Sequence, residues 1–146
     1  MKKLFFAAMV VVFVFPAFSV SARDTEHMYL YEDIMNTEEA KGKLNLDIKF
    51  YFGDQGHPEV DRKLGTFVAN KKTNALNKSD ARACEWAFLS AMLSLQQRAV
   101  REGGNAVINI QSYYKKHVIN SATEFECGAG AFVAGVALRG TVVKLK

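Results

Sequence analysis

An α+β fold is what this sequence predicts: one long helix packed on a mostly antiparallel sheet, in the order β-β-α-β-β(-β). Three observations carry it. Residues 80–102 place apolar side chains at helical spacing and end on Gly103-Gly104. Leu46, Ile48, Phe50 and Phe52 alternate with Asp47, Lys49 and Tyr51, the pattern of a half-buried strand. The stretches 124–133 and 135–145, rich in Gly, Ala and Val, read as two closing strands, with Gly128 and Gly130 where backbones approach closely.

Residues 1–22 form a signal peptide. Lys2 and Lys3 are its positive start and Leu4 to Val14 its apolar run, too short for a bilayer core of about 30 Å. Pro16 breaks the run, and Val20-Ser21-Ala22 supplies the small residues for cleavage before Arg23. No cysteine stands just after the apolar run, so no lipid anchor is expected. These features place the chain in a bacterial periplasm, or make it secreted. No later segment is apolar enough to span a membrane.

Cleavage also changes the charge. The 19 basic and 15 acidic residues become 17 and 15 once Lys2 and Lys3 leave, so a net of +4 becomes +2. Lys71-Lys72 and Lys115-Lys116 are isolated pairs rather than a basic stripe, which argues against a nucleic-acid partner.

Residues 23–43 read as a polar tail, able to dock as an edge segment, followed by a short helix. Asn36-Thr-Glu-Glu39 has the spacing of a capping box, with Asn36 as N-cap and Glu39 three residues on. Residues 44–146 read as a single domain. Its first strand covers residues 46–52 and ends at Gly53-Asp-Gln-Gly56 and Pro58; a second covers 60–69, and 70–78 is a polar loop.

The central helix starts at Ser79 or Asp80, whose short side-chain oxygens suit an N-cap. Cys84, Phe88, Ala91, Met92, Leu95 and Ala99 form one stripe of about 100° facing the sheet. Trp86, Leu93 and Val100, spaced by seven, form a second row beside Leu89. That row is either sunk under a loop or a subunit interface. The next strand runs from Ala106 to Tyr114 with Val107 inward, and 115–121 is a turn.

Two cysteines in an exported chain are expected to pair. Cys84 lies on the core-facing stripe of the helix and Cys127 on a strand expected to pack over it. A disulfide Cys84–Cys127 follows as the expectation.

Motifs for chemistry are scarce. Gly65 to Thr73 lacks the second glycine of a phosphate loop, and Gly128 to Gly135 lacks dinucleotide spacing. No serine sits in a nucleophile elbow. Glu124 and Glu126 share one face of a strand, expected to be solvated. His57 stands among Asp54, Glu59 and Asp61 in a loop that could take a cation, without the ligand spacing of a structural zinc site. No cofactor is expected and no catalytic set emerges.

Asp80-Ala-Arg-Ala-Cys84, Arg98 to Ile110 and Glu126-Cys127-Gly-Ala-Gly130 carry a resemblance. Over residues 30–146 the chain resembles short exported bacterial proteins labelled "excinuclease ATPase subunit"; no Walker motif accompanies that label here. Over residues 80–145 it is more widely similar to YbjQ-like domains and the Rcs envelope-stress lipoprotein group. The resemblance implies a small α+β domain, structural cysteines near these positions, and ring assembly or envelope sensing. The chain departs from the lipoproteins in lacking the lipid-bearing cysteine.

Three function classes follow. The first is a non-enzymatic exported domain that binds an envelope protein or assembles as a homo-oligomer. The second is a small-ligand or metal-binding module using the His57 loop. The third is a hydrolase with a site assembled from distant residues.

Overall fold

The computed structural model describes residues 22–44 and 47–146. The signal-peptide reading of 1–21 and the assignment of Leu46 to a strand lie outside the described residues.

The elements follow in chain order: β1 (Thr25–Leu30), α1 (Tyr31–Met35), α2 (Glu38–Lys43), β2 (Lys49–Phe52), β3 (Val60–Asn74), α3 (Asp80–Arg101), β4 (Ala106–Ser112), a 3-10 turn (Tyr114–Lys116), β5 (Glu124–Ala129) and β6 (Val133–Leu145). All six strands belong to one curled mixed sheet, and α3 packs across it. β6 is the hub. It pairs along its length with β3 on one edge, and with β4 and the end of β5 on the other. β1 extends the sheet beyond β5, antiparallel, and β2 extends it beyond β4, parallel.

α3 forms where the sequence places it. The Ser79 hydroxyl accepts from the Arg82 N–H at 3.2 Å and so satisfies one free donor of the first turn. Gly103, at φ +75°, takes the left-handed conformation that ends the helix. Ala83, Cys84, Ala87, Phe88, Ala91, Met92, Leu95 and Ala99 are all within 1% of full burial. Small residues let the helix sit close; Phe88, Met92 and Leu95 fill the space, each contributing about 1.5–3 kcal/mol by leaving water. The Asn105 side chain then clamps β6, accepting from the Leu145 N–H at 2.7 Å and donating to its carbonyl at 3.2 Å.

An aromatic column crosses the core. Tyr31 stacks on Phe52 at 3.8 Å and Phe88 on Phe125 at 4.2 Å, while Phe52 lies 6.2 Å from Phe88 and Tyr29 5.9 Å from Phe125. It joins β1, α1, β2, α3 and β5. The disulfide stands beside it: Cys84 and Cys127 are bonded, with Cα atoms 5.9 Å apart and a sequence separation of 43. For that separation the chain-entropy estimate is about 4 kcal/mol.

Several expectations are corrected. The residues read as a tail are β1 and α1, with Tyr31 and Ile34 buried. Thr37, not Asn36, caps α2: its backbone is extended there, and its hydroxyl accepts from the Ala40 N–H at 3.1 Å. Asn36 instead closes α1, and Glu39 pairs with Lys43 and Arg82. β3 continues through the expected loop to Asn74, because β6 offers partners as far as Val133. β2 begins only at Lys49. β4 ends at Ser112, two residues short of Tyr114, and β5 stops at Ala129. Glu126 is buried rather than solvated, at 6% exposure. Its side of the sheet is crossed by the segment after β4, where Tyr114 lies so close over Gly128 that a Cβ there would meet its hydroxyl.

Candidate functional site

Two turns meet at one pole of the molecule. The first joins β3 to α3. Asn74 accepts from the Leu76 N–H at 2.8 Å, Asn77 takes a left-handed φ of +59°, and the Lys78 N–H donates to Ala75 O. The second joins β5 to β6, closed by the Gly130 N–H donating to Val133 O at 2.8 Å. One backbone bond ties them: the Ala75 N–H donates to Phe132 O at 2.8 Å. Ala75 points into the core, whereas Leu76, Phe132 and Val133 point out at 48%, 68% and 47% exposure. Turn tips usually carry small polar residues. Here the Asn74 side chain and the Lys78–Ala75 and Gly130–Val133 backbone bonds close the turns, so the fold does not require apolar side chains at these tips.

Beside Phe132 lies an open groove of about 570 Å³, bordered by Arg23, Lys72, Tyr114, Gly128 and Val133. Its electrostatics are uneven. Arg23 donates two hydrogen bonds of 2.8 Å to the Asp80 carboxylate and a third to Gly130 O, and His27 Nε2 lies 3.0 Å from the same carboxylate. The Arg23 guanidinium holds Asp80 down to about 2, with His27 adding to it. Lys115 binds Asp24 at 2.6 Å and Glu26 at 3.1 Å, which raises its ammonium above the ordinary lysine range; Tyr114 also donates to Asp24. The acids of the pole are therefore each engaged by a cation. Among the described residues, Lys72 and Lys78 have no carboxylate partner; Lys78 lies 5.5 Å from the centre of the Trp86 ring.

A second polar feature sits behind the groove. The Glu126 N–H donates to the Ser112 hydroxyl at 2.8 Å, and one carboxyl oxygen of Glu126 has no hydrogen-bond partner among the described residues. Burial pushes this acid above its ordinary range, and the nearby Glu26 charge adds to the shift; His117 and Lys115 oppose it. Lys115 and Lys116, in the segment that covers it, both have positive φ, at 48° and 65°.

The residues singled out in the sequence fall in three places. Cys84 and Cys127 meet as a structural bond in the core. Trp86 and Val100 are exposed at 40% and 64% on the outer side of α3, with Leu93 half-buried between them. The Trp86 ring is flanked by its own cations, with Arg82 5.0 Å from its centre. In the His57 loop, Asp54 accepts from Asn120, Glu59 from Lys146, and His57 lies edge-on to Tyr51. Among the described residues, no group of three or more His, Cys, Asp or Glu side chains is arranged to hold a metal. No helix among them is long and apolar enough to cross a membrane.

Sequence reasoning missed the pole. The sequence pattern assigns Phe132 to a strand over 124–133 and Leu76 to a polar loop over 70–78. The available signal was Gly130: a glycine shortly after two buried residues marks a chain reversal, and the bulky residue two positions on then stands at its tip.

No protein family, curated protein or solved structure matches this chain. The functional reading therefore rests on the geometry.

Proposed function

We propose that this chain is an exported, non-enzymatic binding domain of the cell envelope, which docks on another envelope component by the Leu76–Phe132–Val133 pole. One observation carries the reading: three large apolar side chains are held out in water by two turns whose own hydrogen bonding does not need them. A contiguous exposed apolar patch with a polar rim is the usual mark of an interaction site. The disulfide fits an oxidising, extracytoplasmic setting. Cleavage after Ala22 in the periplasm is the finer form of the reading, supported by Lys2-Lys3, the apolar run and Val20-Ser21-Ala22. The resemblance to envelope proteins points the same way.

Self-association through Trp86, Leu93 and Val100 is the weaker reading. Arg82 already lies over the Trp86 ring, 5.0 Å from its centre, and Leu93 is half-buried.

A photo-crosslinking residue at position 132, compared with one at exposed Lys144, tests the proposal in intact cells. Adducts at 132 and none at 144 are expected. Adducts only at 144, or none at either, contradict it.

A further inference from the structure

We propose that the component docked by this pole is the surface of an anionic phospholipid bilayer. The proposal rests on the reading of the pole as a binding surface.

Shape comes first. The apolar side chains stand on tips rather than on a flat face. Leu76 and Phe132 come from turns 56 residues apart in sequence, yet the Ala75–Phe132 backbone bond holds the two turns side by side, each with an exposed apolar side chain. A stable protein interface typically buries about 800 Å² on each partner around a packed centre. Three side chains on two turns fall short of such a centre. The interfacial layer of a bilayer needs no matched pocket, and it takes up protruding Phe and Leu side chains directly.

Charge is the second argument. Lys72 borders the groove beside Phe132, and Lys78 sits in the same turn as Leu76. Neither has a carboxylate partner among the described residues. The acids that would repel an anionic surface are largely offset: Asp80 is held by Arg23, with His27 on the same carboxylate, and Asp24 and Glu26 share Lys115, so that with Lys72 and Lys78 four fixed cations stand against three carboxylates. Lysines flanking apolar tips, with most of the nearby acid charge offset, complement anionic headgroups. Lipid attraction of this kind acts over many headgroups, so a small apolar footprint suffices for reversible binding.

The test uses the full mature chain and flotation with phosphatidylcholine vesicles, with or without about a quarter phosphatidylglycerol. Co-flotation with the phosphatidylglycerol vesicles alone, lost in high salt, is expected. The Leu76→Ser/Phe132→Ser pair and the Lys72→Glu/Lys78→Glu pair are each expected to weaken it by about tenfold or more. Unchanged circular dichroism and an intact disulfide confirm that the variants fold; a variant that fails this check is replaced by Phe132→Ala alone. The proposal is overturned if neither vesicle captures the chain, or if the substituted chains float as the wild type does. Failure here together with a protein adduct at position 132 in cells leaves the pole as a docking surface and removes only the lipid. No adduct in cells removes both.

Discussion

The face of the sheet under α3 and the pole formed by the two turns are both apolar, and they differ in what covers them. Under α3, Phe88 and Phe125 stack with almost no exposure, and Cys84–Cys127 joins helix to strand beside them. At the pole, Phe132 is 68% exposed and is not part of the packed core. The same residue type serves folding in one place and is surplus to folding in the other. Apolar character alone therefore does not mark a docking surface; the proposal for the pole rests on apolar side chains that the fold leaves without cover.

The comparison can be broken at its buried side first. Phe88→Ala is expected to cost about 3–5 kcal/mol, because it removes the central ring of the aromatic column and leaves a cavity. Chemical denaturation measures this, and a loss below about 1 kcal/mol would show that the column is not a stabilising unit. Opening the disulfide comes next, at up to about 4 kcal/mol from loop closure over 43 residues. Denaturation of the Cys84→Ser/Cys127→Ser chain reports it, and a midpoint equal to wild type rules it out.

Glu126 lies on the side of the sheet away from α3 and sharpens the contrast through pH. Its folded value lies above the ordinary 4.5, so the folded state keeps a proton that the unfolded chain has released. Folding stability therefore falls as pH rises through 4.5 toward the folded value, and the cost is complete above it. Glu126→Gln is expected to be more stabilising at about pH 8 than at about pH 4. A difference from wild type that does not change with pH contradicts the assignment.

Smaller still is the cap of α2. Thr37→Ala is expected to cost about 1 kcal/mol and Asn36→Ala less, since only the Thr37 hydroxyl reaches a free N–H of α2. The reverse order would restore Asn36 as the cap.

Much of the buried side was legible in the sequence. The stripe on residues 80–102, its Ser79 cap and its glycine stop are local signals, read within one helix. The pairing of Cys84 with Cys127 follows from the expectation of export and from the faces those residues share. What escaped depends on contacts between distant segments. Strand alternation places Glu126 on the face opposite Phe125, but it cannot say that residues 113–118 return to cover it. The Tyr31–Phe52–Phe88–Phe125 column joins four elements that no local pattern connects. The pole escaped for a related reason: Gly130 reads equally as close strand packing or as a turn, and only the Ala75–Phe132 bond brings Leu76 beside it.

The central claim is that Leu76 and Phe132 serve contact rather than folding, and one comparison of denaturation curves tests it. The Leu76→Ser/Phe132→Ser chain is expected to unfold within about 0.5 kcal/mol of wild type, as surface substitutions do. A loss of about 2 kcal/mol or more would place these side chains in the packed structure and contradict the account.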